Sequence, residues 1–114
     1  MLGGGLDGQR WKISVVPDKA AAEKGGKEFS DTIIFAGDKF SSTALDAKGF
    51  KPVSYRGDFE ENEAEFEAEQ VSETEGVVLW LGEIRSDRMS GTLQWKKKDG
   101  GTLLFDFTGT KVTP

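Results

Sequence analysis

Apolar and polar residues alternate along most of the chain, which is the pattern of half-buried β-strands. The clearest case is A-E-F-E-A-E-Q-V-S over residues 64–72, where glutamates occupy one face and apolar or small residues the other. The longest apolar run, V-V-L-W-L-G-E-I over residues 77–84, is rich in branched and aromatic residues. It is too short for a free-standing helix and predicts a central strand.

Turn sequences between these strands predict antiparallel hairpins, and each turn implies a register. A three-residue loop ending at Gly76 would place Phe66 opposite Ile84, Ala68 opposite Gly82, Gln70 opposite Trp80 and Glu65 opposite Arg85. Two further turns complete a meander with the pairs Trp80–Leu93, Gly82–Gly91, Trp95–Leu103 and Leu93–Phe105. The two opposed glycines predict a bend in the sheet at their level.

The first half of the chain contains four more predicted strands. The first covers residues 9–16 and ends at Pro17, because proline cannot donate to a strand ladder. A short helical turn follows within the insertion at residues 18–27. A turn at Gly37–Asp38 joins a strand over residues 29–36 to one over residues 39–45, which pairs Phe35 with Phe40 and Ile33 with Ser42. A fourth strand passes through Tyr55.

Eight short antiparallel strands in an open sheet would leave two exposed edges. Pairing the first strand with the last removes both edges, so we predict an all-β fold: a single eight-stranded antiparallel up-and-down barrel with no substantial helix. Residues 6–114 are assigned to this one domain. Residues 1–5 are assigned to an expression-tag remnant or a disordered arm.

This layout resembles the calycins, the lipocalin and avidin class of β-barrels, in a small bacterial form. The resemblance rests on Gly8-Gln9-Arg10-Trp11 at the start of the first strand, the long loop after it, and the run of hairpins that follows. Lipocalins open with G-x-W, whereas this chain has G-x-x-W and no C-terminal helix. The resemblance implies that the barrel interior binds a small apolar molecule.

The composition excludes several classes of site. The chain contains no His and no Cys, so the histidine-dependent nucleophilic triads and the common zinc sites are impossible. The net charge is −5, and the one basic cluster, at residues 96–98, occupies a predicted hairpin tip, which disfavours nucleic-acid binding. We therefore expect a protein that is not an enzyme and that uses no cofactor or metal.

Acidic residues are assigned structural roles. The glutamates between residues 60 and 75 alternate along a strand, which predicts a solvated outer face in place of a hard-cation site. Asp31 and Asp106 flank core strands and could point inward, and a surface or turn role is preferred to a catalytic one for each. No apolar run reaches membrane-spanning length, and none is typical of a signal peptide. The protein is expected to be soluble, either cytoplasmic or exported with its signal removed.

Large aromatic side chains dominate the predicted inward faces. They either fill the core or line a pocket for a small hydrophobic or aromatic ligand, and only residue volumes in three dimensions decide between these alternatives. With a filled core, the barrel would act through its outer surface as a protein-interaction or inhibitor module. The residues predicted to line a ligand pocket are Trp11, Phe35, Phe40, Ser42, Tyr55, Phe66, Gln70, Trp80, Trp95 and Phe105.

A second group of apolar residues falls on outward faces of neighbouring strands. Such a contiguous apolar patch is usually covered. The N-terminal arm, the insertion at residues 18–27 or a second copy of the chain could cover it, and we predict a two-fold homodimer through this face. The residues of this predicted interface are Val71, Val77, Leu79, Leu81 and Leu104.

Overall fold

The computed structural model describes residues 6–60 and 63–112. The predicted arm at residues 1–5 lies outside this range. In chain order, the strands are β1 Arg10–Pro17, β2 Phe29–Ala36, β3 Lys39–Ser42, β4 Val53–Ser54, β5 Arg56–Phe59, β6 Glu63–Ser72, β7 Gly76–Arg85, β8 Arg88–Lys96 and β9 Thr102–Lys111. These described ranges also contain two short helices, α1 Lys19–Glu23 and α2 Thr43–Asp46.

The strands form one antiparallel sheet that curls into a nearly closed barrel. Its order is β4-β3-β2-β1-β9-β8-β7-β6-β5. Consecutive strands are therefore neighbours except β4 and β5, which form the two edges of the sheet, and β1 lies beside β9. Val15 faces Phe107 in the β1–β9 pair. The predicted all-β barrel fold and its closure between the first and last long strands are therefore confirmed.

The residues that the structure describes form nine strands where eight were predicted. The difference arises at Tyr55, where the predicted fourth strand divides into β4 and β5. β4 pairs with β3, as in Phe40–Val53, whereas β5 pairs with β6, as in Gly57–Phe66. Barrel strands are tilted and staggered. The segment stops pairing with β3 before it begins to pair with β6, so its backbone hydrogen bonding is interrupted at Tyr55.

The predicted register between β6 and β7 is wrong by two residues. The structure pairs Phe66 with Gly82, Ala68 with Trp80 and Gln70 with Val78, and Glu63 instead of Glu65 faces Arg85. The loop contains residues 73–75, and the Ser72 hydroxyl accepts backbone N–H groups of Thr74 and Glu75 at 3.4 and 3.2 Å. Because side chains alternate with a period of two, this shift leaves every residue on its predicted face.

The other predicted registers are confirmed. Phe35 faces Phe40 and Ile33 faces Ser42 across the turn at Gly37–Asp38, where both turn residues have positive φ angles of 59° and 63°. Such angles belong to the two-residue turn that matches strand twist. The pairs Trp80–Leu93, Gly82–Gly91, Trp95–Leu103 and Leu93–Phe105 also form as predicted.

Short segments cover the two ends of the barrel. At one end, α1 contributes the buried Ala21, and the segment that contains α2 contributes the buried Leu45 and Phe50. At the other end, Leu6 is buried. The prediction of a strand to residue 45 was wrong, because the Ser42 hydroxyl accepts the Leu45 N–H at 3.2 Å and caps a helical turn there.

Candidate functional site

The ten residues predicted to line a pocket are all buried inside the barrel. Five of their rings form one connected cluster: Phe35 lies 5.7, 4.9 and 5.3 Å from Phe40, Tyr55 and Phe66, and Phe40 lies 5.2 Å from Trp80, measured between ring centroids. Aromatic pairs prefer these edge-on and tilted arrangements at such distances. The middle of the barrel is therefore occupied by contacting rings.

The remaining predicted rings contact partners outside this cluster. Trp95 packs edge-on against Phe50 at 5.8 Å, and Phe105 packs against Phe29 at 6.1 Å. Trp11 is fully buried, and its indole N–H donates to the side chain of Gln9 at 3.1 Å. Sequence reasoning missed Phe50, because a residue in a glycine-containing loop belongs to no alternating pattern.

The polar groups predicted to orient a ligand are engaged by the protein itself. The Gln70 amide donates to the backbone carbonyls of Phe50 and Lys51 at 3.3 and 3.0 Å, and its oxygen accepts the Trp80 indole N–H at 2.9 Å. The Ser42 hydroxyl donates to Asp31. Among the residues that the structure describes, no buried side-chain nitrogen or oxygen lacks a hydrogen-bond partner.

Asp31 is buried, which corrects the preferred surface role and agrees with the inward orientation that its position beside a core strand left open. Its carboxylate accepts the Ser42 hydroxyl and the backbone N–H groups of Thr32 and Ala44, at 2.7 and 2.9 Å for the two amides. Burial raises the pKa of Asp31 above its ordinary value, against the opposing effect of these hydrogen bonds. Asp31 therefore anchors the start of α2. Asp106 is exposed on the outer face of β9, as predicted.

Tyr55 ties the N-terminal segment to the barrel. Its hydroxyl donates to the Asp7 carboxylate at 3.3 Å, and the same carboxylate accepts the backbone N–H of Asp38 at 2.9 Å. Burial, followed by the nearby negative charge of Asp7, raises the pKa of Tyr55 to about 12. The phenol therefore stays protonated at neutral pH and helps to hold the segment that carries Leu6.

A groove of about 910 Å³ lies on the outer face of the barrel, across β5, β6, β7 and β8. Its floor is a row of residues paired in succession across the four strands: Gly57, Phe66, Gly82 and Gly91. A Cβ atom added at Gly82 would lie 2.3 Å from the Phe66 ring, and one at Gly91 would lie 2.0 Å from a backbone oxygen. Only glycine fits at these two positions, because an added Cβ atom would point inward against Phe66 or Phe107. On the outer side, the floor of the groove is therefore strand backbone.

Two rows of outward-facing residues form the walls of this groove. One wall consists of Arg56, Glu67, Leu81 and Thr92, and the other of Asp58, Glu65, Glu83 and Ser90. Arg56 and Glu67 form an ion pair at 2.8 Å with side chains 86% and 41% exposed, which makes it a weak contact. The groove thus combines an exposed leucine with a markedly acidic wall.

The acidic wall places like charges side by side. Asp58 is directly opposite Glu65, which is directly opposite Glu83. Within the described residues, none of these three carboxylates forms an ion pair. Like charges opposite each other on neighbouring strands destabilise a sheet, so this wall is an electrostatically unfavourable feature that a bound cation would relieve.

Sequence reasoning placed these glutamates on the correct outer face but missed the groove. The signal that could have found it is the row of three glycines across β5, β7 and β8. The wrong register between β6 and β7 concealed this row, because it put Ala68 beside Gly82 in the position that Phe66 occupies.

The predicted apolar interface residues are outward-facing, and all but Leu104 adjoin one another on β6 and β7. Val71 is 59% exposed and pairs with Val77, whereas Leu104 is separated from Leu79 by Gln94 on the strand between them. The segment at α1 bonds to the backbone of Leu104, through the Asp18 N–H at 2.9 Å. It leaves the Leu104 side chain 46% exposed.

Two further findings concern the described residues. They contain no group of three or more His, Cys, Asp or Glu side chains arranged to hold a metal ion. They also contain no helix of the length and apolar character that crossing a membrane requires.

No protein-family model, curated protein or solved structure matches the chain. The function must therefore be inferred from the geometry of the chain itself.

Proposed function

We propose that this protein is a non-catalytic binding module, with a filled barrel as scaffold and an outer surface that engages another protein. The observation that carries this proposal is the use of Gln70 inside the barrel. All three hydrogen bonds of its side chain go to Trp80, Phe50 and Lys51. Gln70, the polar residue best placed to orient a ligand, is therefore already paired within the protein.

The packing of the interior supports the same proposal. Each large aromatic side chain buries about 150–250 Å², so displacing even one ring to admit a ligand would sacrifice a large part of the core. Leu6 at one end, and Leu45 with Phe50 at the other, would also have to move. A small apolar ligand inside the barrel, which the calycin resemblance implies, is the competing proposal.

The groove on the outer face is the best-supported place for a partner. Three of its strands, β6, β7 and β8, have 10, 10 and 9 residues and pair with a neighbour on both sides, and the short edge strand β5 completes it. Leu81 projects from its wall with 44% of its surface exposed. Interfaces combine apolar and polar surface, and this groove offers an exposed leucine on one wall and carboxylates on the other.

The testing experiment is affinity capture from the natural source with three immobilised proteins: the natural sequence, Leu81→Arg and Leu104→Arg. The two leucines are matched, because both face outward and are 44% and 46% exposed. We expect one saturable partner that the natural protein and Leu104→Arg retain and Leu81→Arg loses. Circular dichroism of all three proteins checks that they are folded.

Native mass spectrometry of the protein from its own source separates the two proposals. Release of a molecule of a few hundred daltons on denaturation, with tryptophan fluorescence that responds to the same molecule, would support the interior ligand and contradict the filled barrel. An empty barrel that captures a partner through Leu81 supports the outer surface.

We also propose a homodimer, in which the outer apolar residues pack against a second copy. Because Leu81 is one of these residues, the second copy and a protein partner would compete for the groove. Val71, Leu81 and Leu104 are exposed large apolar residues in the described part of the chain. We propose in addition a distant relation to small bacterial calycins. It is supported by the burial of Trp11 at the start of β1 and by the pairing of β1 with β9.

A further inference from the structure

We infer that the groove binds a short, extended, cationic segment of a protein partner that carries an apolar side chain between its basic residues. This inference rests on the proposed function and specifies its partner. It is drawn from the dimensions of the groove, the charges of its walls and the exposure of Leu81.

The dimensions of the groove suit a short extended chain. The groove crosses four neighbouring strands, and strands lie about 4.8 Å apart, so its length is roughly 14 Å. An extended chain advances about 3.3 Å per residue, so four or five residues span it. The two walls are two residues apart along each strand, about 7 Å, which leaves room for one extended chain between the two rows of side chains.

The charges of the groove select a cationic occupant. Asp58, Glu65 and Glu83 line one wall, and the described residues give them no ion-pair partner. A guanidinium or ammonium group placed between them would offset their mutual repulsion, and arginine could bind two carboxylate oxygens at once. The same charges would repel nucleic acid, phosphate and acidic peptides.

The acidic surface continues beyond the end of the groove. A neighbouring depression of about 240 Å³ is lined by Glu60 and Glu63 together with Asp58, Glu65 and Glu83, and Arg85 is its one basic residue. A basic residue that follows the bound segment would therefore remain close to carboxylates. This continuity favours a segment with several basic residues over a single positive charge.

Leu81 distinguishes a peptide from a simple cation. It stands on the wall opposite the three carboxylates, between Glu67 and Thr92 on the adjacent strands. An exposed leucine gains free energy only from an apolar contact. In an extended segment, side chains point alternately to opposite sides. A basic residue can therefore face the carboxylates while its apolar neighbour faces Leu81.

Three fluorescein-labelled hexapeptides test this inference by fluorescence anisotropy: one alternating arginine with leucine, one alternating arginine with serine, and one alternating glutamate with leucine. We expect the arginine–leucine peptide to bind saturably and the glutamate–leucine peptide not to bind. The arginine–serine peptide, which lacks the leucines, should bind about fivefold more weakly than the arginine–leucine peptide, because it loses part of one apolar contact. Raising NaCl from about 50 to about 300 mM should weaken binding markedly.

Two matched double variants locate the binding. Glu65→Gln with Glu83→Gln removes two charges from the groove wall, and Glu69→Gln with Glu73→Gln removes two exposed charges outside it. We expect the first pair to weaken binding of the arginine–leucine peptide about tenfold or more and the second pair less than about twofold. Thermal unfolding of both variants shows whether the barrel is intact.

Three outcomes of these peptide measurements would overturn the inference. The two double variants could weaken binding equally, or the arginine–serine peptide could bind as tightly as the arginine–leucine peptide. The third is that spermine, at the same concentration of positive charge, displaces the arginine–leucine peptide completely. The affinity capture described above remains a separate readout. A partner that depends on Leu81, together with peptides that fail to bind, would reject the cationic segment and leave the proposed function standing. If no partner depends on Leu81 and no peptide binds, both the proposed function and the cationic segment are rejected.

Discussion

The indole N–H of Trp80 donates a hydrogen bond of 2.9 Å to the side-chain oxygen of Gln70, and both residues are fully buried. The amide of Gln70 continues this network to the carbonyls of Phe50 and Lys51. A single glutamine thus connects β7, on which Trp80 lies, to the loop that covers one end of the barrel. This hydrogen-bond network explains why a polar residue occupies the core.

Replacing Gln70 by alanine should destabilise the barrel strongly. Gln70→Ala leaves the Trp80 N–H and two backbone carbonyls unpaired and opens a cavity, and we expect a loss of about 3 kcal/mol in the free energy of unfolding. Urea unfolding followed by tryptophan fluorescence measures it. The control is Gln94→Ala on the outer face of β8, expected to change stability by less than about 0.5 kcal/mol. Equal losses in the two variants would contradict the role of this network.

A methyl group at Gly82 should also be costly. A Cβ atom there would lie 2.3 Å from two atoms of the Phe66 ring, and that ring is held within the aromatic cluster, 5.3 Å from Phe35. We expect Gly82→Ala to cost about 2 kcal/mol through overpacking. Gly101→Ala, in a hairpin loop, should cost clearly less, because its Cβ would meet only the flexible side chain of Asp99 at 3.2 Å.

The Phe66 ring supplies a second check on the Gly82 prediction. If the clash with that ring causes the loss, trimming the ring in Phe66→Leu should make the added methyl less costly. The double-mutant cycle of Gly82→Ala with Phe66→Leu would then be non-additive. Additive losses would place the strain of Gly82→Ala elsewhere in the sheet.

The buried carboxyl of Asp31 should give stability a component that falls as pH rises. Its pKa in the folded protein is raised above the ordinary value of 3.8, mainly by burial. The native state therefore binds this proton more tightly than the unfolded chain does. The contribution of Asp31 to the free energy of unfolding is largest below about pH 3.8 and declines as pH rises through the folded pKa.

Asp31→Asn isolates this component, because the other carboxylates are common to both proteins. Urea unfolding across an acidic pH series should show that the stability of the natural protein, relative to the variant, declines with rising pH in that window. Asp106→Asn, at an exposed site on β9, should show no such trend. A relative stability that rises with pH would mean that the hydrogen bonds to Ser42 and Ala44 outweigh burial.

The proposed homodimer predicts a specific response to charge on the outer face. Light scattering at high micromolar concentration should give twice the chain mass of 12.4 kDa. Val71→Glu, at a site 59% exposed, should convert the dimer to a monomer, because it places a charge in an apolar contact. Thr110→Glu, on the outer face away from the apolar residues, should leave the mass unchanged. A monomeric natural protein would reject the dimer.

Much of the fold could be predicted from sequence because alternation and turn chemistry are local. Alternation assigned Phe66, Gln70 and Trp80 to the interior correctly, and the Gly37–Asp38 turn specified its register because its two residues adopt positive φ angles. The three-residue loop after Ser72 did not specify its register. A shift of two residues keeps every side chain on its face, so hydrophobic patterning cannot detect the error.

Sequence alone determined which residues face inward and that the strands form one antiparallel meander, since both follow from the period of two along each strand. Tertiary structure alone decided three further features: that Asp31 is buried against α2, that Phe50 closes a barrel end, and that Gly57, Gly82 and Gly91 align beneath an acidic groove. Each depends on which side chains meet across strands distant in sequence, and on the curvature that these contacts produce, neither of which a local pattern contains.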